Sequence, residues 1–214
     1  MSKIVIENLC RDFKRVRVLH KINLTLESGH LYGLVGRNGS GKTVLMKLIC
    51  GFLAPTEGRV LIDGQEIGKD IDFAPSTGAI IEAPAFLPHL SGFQNLTNLA
   101  KIGGQINTDE ICHTMELVGL DPKSRKRVVK YSMGMRQRLA IAQAIMEDPN
   151  ILILDEPMNS LDKEGVADVK TLLRSLKAKG KLILLASHIQ ADVEDLCDQV
   201  FEMDQGTLTQ IINK

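Results

Sequence analysis

Short apolar runs separated by turn residues fill the first third of the chain. They are Ile4–Ile6, Ile22–Leu26, Leu31–Val35 and Val60–Ile62, and the dipeptide Asp63–Gly64 follows the last of them. Runs of this length between turn signals are typical of β-strands. One helix-like segment, Lys42–Cys50, interrupts them and stops at Gly51. The first third is therefore predicted to be rich in β-structure and to contain one helix.

The rest of the chain changes first to helical spacing and then to alternating strands and helices. Helical segments run from about Pro84 to Met146, with breaks at glycine and proline positions. Apolar strands follow at Ile151–Leu154 and Lys181–Ala186, with a helix predicted over Lys163–Lys179 and a stop at Gly180. A strand, helix and strand in this order demand a parallel pair with a right-handed crossover.

These patterns predict one α/β domain over residues 1–214. Its core comprises residues 1–83 and 147–214, and it includes an antiparallel β region at the N-terminus. A helical subdomain is inserted at about residues 84–146. A length of 214 residues accommodates one such domain with a sizeable insertion.

Composition narrows the classes of function. Lys and Arg together number 26, as do Asp and Glu, so the formal net charge is zero. The general electrostatic attraction of basic proteins to nucleic acid is therefore absent, and no nucleic-acid partner is expected. The longest apolar stretches fall far short of the roughly 20 residues that a spanning helix needs. The N-terminus lacks the pattern of a secretory signal. The four cysteines form no C-x-x-C pair and are expected to be reduced and buried.

The sharpest motif is G-x-x-x-x-G-K-T at residues 36–43, between a predicted strand and a predicted helix. Glycines allow backbone N–H groups to surround phosphates, and the following helix presents its positive end. Lys42 is expected to reach the β and γ oxygens, and the Thr43 hydroxyl is expected to ligate Mg²⁺. A plain glycine loop after a strand is the alternative. The expected nucleotide-binding residues of this loop are Gly36, Asn38, Gly39, Ser40, Gly41, Lys42 and Thr43.

A second motif delivers two carboxylates to the end of a wholly apolar strand. The sequence is Ile151–Leu154 followed by Asp155, Glu156 and Pro157. Ligands of α/β sheets bind at such strand ends. Asp155 is placed to hold Mg²⁺, and Glu156 is placed to orient or deprotonate an attacking water. The alternative is that both carboxylates only cap the next turn. These two motifs by themselves also suit a nucleotide kinase or a GTPase.

Three further segments carry a family resemblance. Residues 131–138, YSMGMRQR, resemble the L-S-G-G-Q signature of ATP-binding cassette (ABC) proteins. Residues 159–162 resemble the D-loop of that family, and Ser187–His188 resemble its switch histidine. The resemblance covers essentially the whole chain. It implies a P-loop NTPase fold with a RecA-like mixed sheet and an ATPase activity that uses ATP and Mg²⁺.

The resemblance also implies roles for single residues. Phe13 would stack on adenine, and His188 would bond the γ-phosphate beside Glu156. Ser132 and Gly134 would meet ATP bound to the opposite subunit, so the ATP-bound form is expected to be a dimer. Asp162 of the D-loop belongs to the same nucleotide site.

The sequence departs from the family pattern at three positions. Met133 and Met135 replace a glycine and the glutamine of the signature. Glu82 replaces the usual glutamine of the loop that enters the helical subdomain; its carboxylate can ligate Mg²⁺ but cannot donate an amide hydrogen bond.

Glu82, the Y-S-x-G-M signature and the run from Pro84 to Leu96 resemble the bacitracin-resistance and lantibiotic-immunity branch of the family. That branch implies a cytoplasmic ATPase subunit on the inner face of the membrane, which powers a separate transmembrane permease and exports an antimicrobial peptide. The alternatives are an ABC ATPase that acts on DNA or ribosomes and a small-molecule kinase.

Two features stay open at this point. The basic run from Lys123 to Lys130 is interpreted as a solvated face, with a membrane-proximal or phosphate-attracting role as the alternative. Apolar residues between Pro84 and Leu99 either pack internally or form a groove for a membrane partner.

Overall fold

The computed structural model describes residues 2–82, 85–103 and 106–213. In chain order, the first half of these residues forms β1 (Lys3–Phe13), β2 (Val16–Glu27), β3 (Leu31–Val35), α1 (Lys42–Cys50), β4 (Glu57–Ile62), β5 (Gln65–Glu66), β6 (Thr77–Ile80), α2 (Gly92–Gly103) and α3 (Thr108–Leu117). A 3₁₀ turn (Val128–Lys130) follows, and then α4 (Met133–Ile145), β7 (Ile151–Asp155), α5 (Lys163–Ala178), β8 (Leu182–Ser187), α6 (Gln190–Leu196), β9 (Gln199–Asp204) and β10 (Thr207–Asn213).

Two sheets form the framework. The first is antiparallel, with strand order β2-β1-β4-β5. The second has the order β10-β9-β3-β8-β7-β6, in which the strands from β9 to β6 are parallel and β10 is an antiparallel edge. The predicted parallel pair with a helical crossover is therefore present as β7, α5 and β8.

The parallel strands are buried on both faces, which explains their continuous apolar sequence. Ile151 and Ile153 of β7 point into the core between the two sheets, where α1 also packs. Leu152 and Leu154 point into the opposite core, which the remaining helices cover. Alternate residues of one strand thus serve two cores, and both cores fix the position of the acidic end of β7.

Three helices are inserted between β6 and β7, as the helical spacing predicted. Asn107 and Glu110 form a reciprocal capping box at the start of α3. Ser132 caps α4, and its Oγ accepts a hydrogen bond from Met135 N at 3.1 Å. The mixed α/β fold with an N-terminal antiparallel region and a helical insertion is confirmed. The predicted boundary at residues 83 and 84, the terminal residues 1 and 214, and Gly104 lie outside the described residues.

Several elements differ from the sequence predictions. β1 and β2 are much longer than the apolar runs Ile4–Ile6 and Ile22–Leu26, because they continue as a twisted hairpin with register shifts. Strands β6, β9 and β10 and helix α6 were not predicted. β10 is mostly exposed and pairs only with β9, so its sequence lacks the apolar pattern of a buried strand.

The described residues bear on two further expectations. None of their helices is both long and apolar enough to cross a bilayer. Among the described residues the four cysteines form no disulfide; Cys10, Cys50 and Cys197 are buried, and Cys112 is half-buried. Burial raises the pKa of the Cys50 thiol to about 12, so this group stays protonated at neutral pH.

Candidate functional site

The glycine-rich loop at residues 36–43 joins the buried end of β3 to the start of α1. Two of its glycines have backbone angles that favour glycine: φ is 153° at Gly36 and 114° at Gly41. A Cβ atom on Gly36 would lie 2.3 Å from the carbonyl oxygen of Met203, and one on Gly41 would lie 2.8 Å from Leu19 Cδ2. Side chains are therefore excluded where the loop passes β9 and β2.

The loop holds a buried cation. Lys42 is only 6% exposed, and its Nζ donates to the carbonyl oxygens of Gly36 at 2.6 Å and Arg37 at 3.1 Å. Within the described part of the chain, no carboxylate lies within ion-pair distance of Lys42. A buried ammonium without a counter-charge creates a site for an anion.

Ser40 adds a buried hydroxyl to the loop. Its Oγ is buried and has no hydrogen-bond partner among the described residues. An unpaired buried hydroxyl is costly, so its presence beside Lys42 fits a polar ligand in the loop. Asn38 and Gly39 are exposed at the mouth of the loop. The donors of the loop therefore suit a phosphate chain.

The acidic end of β7 lies against this loop. Thr43 Oγ1 donates to Asp155 Oδ2 at 2.6 Å, although the two residues are 112 positions apart. Both line a cleft of about 350 Å³ together with Asn38, Gly39, Gly41, Lys42 and Glu156. The predicted alternative, that the two carboxylates only cap a turn, does not describe this arrangement, because Asp155 is bonded to the loop.

The donor atoms suit Mg²⁺ held jointly with phosphates. Thr43 and Asp155 supply a hydroxyl and a carboxylate, which are hard oxygen ligands. The described residues contain no group of three or more His, Cys, Asp or Glu side chains that could hold a metal ion. A dedicated protein cage is thus not formed there, whereas Mg²⁺ commonly keeps water and phosphate ligands and takes only one or two carboxylates.

Glu156 and His188 form a pair at the neighbouring strand ends. In the register of β7 and β8, Asp155 lies opposite Ala186, so His188 emerges beside Glu156. His188 Nδ1 lies 2.9 Å from Glu156 Oε2. Glu156 has a positive φ of 51°, which is strained for a side-chain-bearing residue. The structure therefore brings Lys42, Thr43, Asp155, Glu156 and His188 to one edge of the sheet.

The signature and D-loop residues lie elsewhere. Ser132, Gly134 and Asp162 line an open cleft of about 1090 Å³, and no residue of the glycine-rich loop lines it. Asp162 caps α5, and its Oδ1 accepts from Gly165 N at 2.9 Å. A Cβ on Gly134 would lie 3.0 Å from the Ser160 carbonyl oxygen, so the two segments pack together. Within one chain, the signature does not reach the phosphate loop.

Glu82 lies between these regions and makes an ion pair. Its Oε1 is 2.6 Å from Lys47 Nζ on α1. Glu82 also lines a cleft of about 350 Å³ with Asp155 and Glu156. The carboxylate is thus near the acidic strand end but is bonded to a lysine rather than to Thr43 or Asp155.

Phe13 lies at the end of β1 on the hairpin that reaches Val16. The Arg11 guanidinium carbon is 4.7 Å from the centroid of the Phe13 ring, which is a cation–π distance. Phe13 does not line the cleft of the phosphate loop, whereas Val18 of the next strand does. The hairpin is fixed by Arg17, which bonds Asp12 and Glu57. The hydrogen bond from Arg17 lowers the pKa of Asp12 and keeps this carboxylate charged.

Gln137 belongs to the site but was not predicted. Its Nε2 donates to the carbonyl oxygens of Glu156 at 3.2 Å and Pro157 at 3.0 Å. The side chain therefore ties α4 to the backbone of the acidic strand end. Its place one turn after Gly134 was visible in the sequence, but no local pattern indicates which backbone a glutamine will bond.

Comparison with known proteins gives one consistent result. The profile of the ABC transporter family matches residues 19–159. An ABC transporter ATP-binding protein of Bacillus subtilis is 44% identical over 205 residues, which cover 96% of this chain and 94% of that protein. A bacitracin transport ATP-binding protein of Enterococcus faecalis is 40% identical, with 97% of this chain and 68% of the relative covered. A lantibiotic transport ATP-binding protein of Streptococcus pyogenes is 32% identical, with 95% and 87% covered.

Solved structures show the same fold. The ATP-binding subunit of an ABC transporter matches with a TM-score of 0.86 at 24% identity, and 97% of this chain and 90% of that chain are covered. A nucleotide-free ATP-binding cassette matches with a TM-score of 0.84 at 22% identity, with 100% and 92% covered. The expected P-loop NTPase fold is thereby confirmed.

Proposed function

The chain belongs to the ABC transporter family as an ATP-binding subunit that hydrolyses ATP to power transport, and we propose how its residues, a bound Mg²⁺, a second subunit and a permease accomplish this. Action in transport rather than on DNA is confirmed, and membership of this family does not support the alternative of a small-molecule kinase. The observation that carries the proposal is the cleft lined by the buried Lys42, the Thr43–Asp155 pair and Glu156. His188 is bonded to Glu156 beside it.

We assign phosphate binding to the loop at residues 36–43. Lys42 exchanges its bonds with the Gly36 and Arg37 carbonyls for the β and γ oxygens of ATP. This exchange is favourable because charge-assisted hydrogen bonds to phosphate are stronger than bonds to neutral carbonyls. The Ser40 hydroxyl, unpaired in the described residues, gains a phosphate oxygen as partner. Backbone N–H groups at the start of α1 complete the set of donors.

Thr43 and Asp155 are proposed to hold Mg²⁺, and Glu82 is proposed as a further ligand. When bound, Mg²⁺ supplies positive charge that offsets the charge developing on the phosphate oxygens. Asp155 is fixed at its place by the hydrogen bond from Thr43. Glu82 must leave Lys47 to reach the metal, since its carboxylate is now 2.6 Å from that ammonium.

Glu156 is proposed as the group that orients and deprotonates the attacking water. His188 shares a hydrogen bond with Glu156 and so fixes the direction of the carboxylate. We assign its other ring nitrogen to the γ-phosphate. Removing the water-activating residue should stop the chemical step and spare binding, because ATP contacts the loop rather than Glu156.

Phe13 is proposed to stack on adenine. Arg11 covers one face of the ring, so the other face is the one offered to the base. A stacking contact requires no particular hydrogen-bonding edge, so Phe13 contributes affinity more than selectivity among bases.

We further propose that two copies of the chain form the working unit. Ser132 and Gly134 lie at the start of α4, where backbone N–H groups and the helix dipole favour an anion. Because these residues and Asp162 do not line the phosphate-loop cleft of their own chain, they are assigned to ATP bound by the second copy. ATP binding closes the pair because ATP binds the closed form more tightly, and hydrolysis reopens it.

The relatives suggest the transported class. Two of them are named for bacitracin transport and lantibiotic transport. We propose that this subunit lies in the cytoplasm, at the inner face of the membrane, and powers export of an antimicrobial peptide through a separate transmembrane permease. The relatives' names support this class, and the permease rather than this chain would contact the peptide.

The experiment is the substitution Glu156→Gln. The matched control is Glu116→Gln, which changes an exposed residue of α3. We expect Glu156→Gln to bind ATP with unchanged affinity, to lose release of phosphate, and to accumulate as a dimer in ATP and Mg²⁺ during size-exclusion chromatography. The control should hydrolyse ATP like the parent chain. Phosphate release at the parental rate by Glu156→Gln would exclude Glu156 as the water-activating group.

A further inference from the structure

The segment before the signature helix carries an unusual density of unpaired positive charge. Its five basic residues are Lys123, Arg125, Lys126, Arg127 and Lys130, and all of them are exposed. Across residues 2–82, 85–103 and 106–213, no carboxylate lies within 4.0 Å of any of these five cations. The chain as a whole has a net charge of zero. A local excess of this kind therefore marks one side of the molecule.

Backbone contacts join this segment to a second one. Val128 N donates to the Leu90 carbonyl at 2.8 Å, and Val129 N donates to the Pro88 carbonyl at 3.0 Å. Ser91 and Arg127 also form an isolated antiparallel bridge. Residues 87–89 and 123–130 therefore form one continuous surface, which we call the basic edge.

The basic edge also exposes apolar side chains. Val129 is 58% exposed and lies within the basic segment, and Leu87 is 47% exposed. Leu87 precedes Pro88, whose carbonyl accepts the hydrogen bond from Val129 N. Beside them is a cleft of about 450 Å³, lined in part by His89, Ser91, Lys123, Arg125 and Arg127. Such a cleft has the donors and the size to take a phosphate headgroup.

We propose that the basic edge binds the anionic phospholipid surface of the membrane. A protein partner would present carboxylates at fixed positions, whereas a lipid surface presents a plane of mobile negative charge above an apolar layer. The cations of the basic edge are spread over eight residues and flanked by exposed Leu87 and Val129, an arrangement that matches such a plane. This binding goes beyond the proposed function because it requires neither ATP nor the permease.

Electrostatics sets the expected size of the effect. A Lys or Arg close to an anionic bilayer contributes roughly fivefold in binding, so losing three of them should weaken binding by about 100-fold. The attraction should fall steeply with salt, because the Debye length shrinks from about 10 Å at 0.1 M to about 3 Å at 1 M.

The test is vesicle flotation of the full chain without nucleotide. One set of vesicles is phosphatidylcholine alone, and the other contains phosphatidylglycerol as well. The variant is the triple substitution Lys123→Glu, Arg125→Glu and Arg127→Glu, and the matched control is Lys69→Glu, Lys101→Glu and Lys179→Glu, which changes the same charge at exposed lysines elsewhere. ATP hydrolysis in solution and circular dichroism verify that each variant is folded and active.

We expect the parent chain and the control to float with the phosphatidylglycerol vesicles at low salt, and the triple variant to stay behind with normal ATP hydrolysis. A second variant, Val129→Ser, should weaken flotation by a few-fold without changing its salt dependence. No flotation of the parent chain, flotation with phosphatidylcholine alone, or equal loss in the control would overturn the proposal. If vesicles fail to bind while the triple variant loses assembly with the permease, the partner is protein and the lipid proposal is wrong. The Glu156→Gln experiment tests the proposed water-activating residue, and its result does not bear on binding of lipid.

Discussion

The side-chain amide of Gln137 donates to the main-chain carbonyl of Glu156 at 3.2 Å. Gln137 lies on α4, the helix that begins with the signature residues, and Glu156 is the proposed water-activating group. The same amide also bonds the Pro157 carbonyl at 3.0 Å. A shift of α4 therefore acts directly on the backbone that carries Glu156, at a position where φ is 51° and the conformation needs external support.

Replacement of this amide should impair the chemical step and spare nucleotide binding. Gln137→Leu keeps the approximate size of the side chain but removes the amide donor shared by the Glu156 and Pro157 carbonyls, so that the Glu156 carbonyl keeps only the bond from Asn159 N. Glu156 can then relax from its strained conformation. We expect kcat to fall by about tenfold, which corresponds to roughly 1.4 kcal/mol in the barrier. The dissociation constant for ATP, measured by fluorescence of a nucleotide analogue, should stay within about a factor of two of the parent value, because Gln137 is not among the proposed ATP-binding residues.

The control for Gln137 is Gln143→Leu on the same helix, which removes an amide that does not bond the acidic strand end. It should leave kcat unchanged. A second variant, Gln137→Glu, keeps the length but places an acceptor against two carbonyls and should lose at least as much activity as Gln137→Leu. If kcat falls equally in Gln137→Leu and Gln143→Leu, the decrease is due to the packing of α4 and not to the contacts with the two carbonyls.

Glu82 and Lys47 give a prediction about metal dependence. The ion pair with Lys47 engages the Glu82 carboxylate and so competes with its proposed binding of Mg²⁺. A partly exposed pair of this kind contributes roughly 1 kcal/mol or less. Lys47→Met should free the carboxylate and lower the half-saturating Mg²⁺ concentration for ATP hydrolysis by about threefold. Glu82→Gln should raise the half-saturating Mg²⁺ concentration, because the proposed carboxylate ligand is lost.

Lys69→Met is the matched control, because Lys69 is paired only at 3.7 Å with Glu66. Titration of Mn²⁺ by electron paramagnetic resonance would report metal affinity independently of turnover. If the Mg²⁺ dependence is the same in Lys47→Met, Glu82→Gln and the parent chain, Glu82 is not a metal ligand.

Arg11 gives a prediction about nucleotide affinity. Its guanidinium lies 4.7 Å from the Phe13 ring centroid and is anchored by a bond from Nη1 to the Ala54 carbonyl at 2.6 Å. Arg11→Met retains an apolar side chain and loses the cation–π contact, worth about 0.5–1 kcal/mol. The KM for ATP should rise by about twofold to fivefold at constant kcat. Arg15→Met in the exposed turn is the control, and a fall in kcat without a change in KM would contradict the assigned role.

Local sequence signals predicted those parts of the fold that depend on nearby residues. The helix predicted over Lys42–Cys50 has these bounds in the structure, because glycines in left-handed conformations lie at both ends. The strand predicted over Leu31–Val35 also agrees, since both of its faces are buried. β6, β9 and β10 depend on neighbouring strands for hydrogen bonds, and no pattern within them is strong enough to indicate this pairing.

In the candidate site, too, the sequence predicted the local motifs but not the contacts between distant segments. The motifs and their order along the chain predicted that the phosphate loop and the acidic strand end form one site. Thr43 and Asp155 are hydrogen-bonded in the structure. The contacts of Gln137 with Glu156 and of Glu82 with Lys47 join residues 19 and 35 positions apart. They depend on how α4 and α1 pack against the sheet, so a single sequence could not indicate these partners.

Asp198 gives a prediction about stability against pH. Burial opposes ionisation of this carboxyl, but the hydrogen bond from Leu31 N at 2.9 Å and the Lys177 ammonium outweigh burial and lower its pKa. The folded state therefore binds fewer protons than the unfolded state when the pH lies between the two pKa values. The resulting stabilisation is fully present above the unfolded pKa of about 3.9 and is lost as the pH falls through the folded pKa.

Asp198→Asn should remove this contribution. At pH 7 we expect the Tm to fall by about 3–6 °C, since a charged hydrogen bond contributes roughly 1.5 kcal/mol and each kcal/mol shifts the Tm by about 2–4 °C at this size. The difference from the parent chain should shrink steadily below about pH 4, because the parent carboxyl becomes protonated there. Thermal unfolding followed by circular dichroism from pH 7 to about pH 2.5 measures this difference. Asp72→Asn on the surface should show no such trend, and a deficit for Asp198→Asn that stays constant with pH would mean that charge at Asp198 does not stabilise the start of β3.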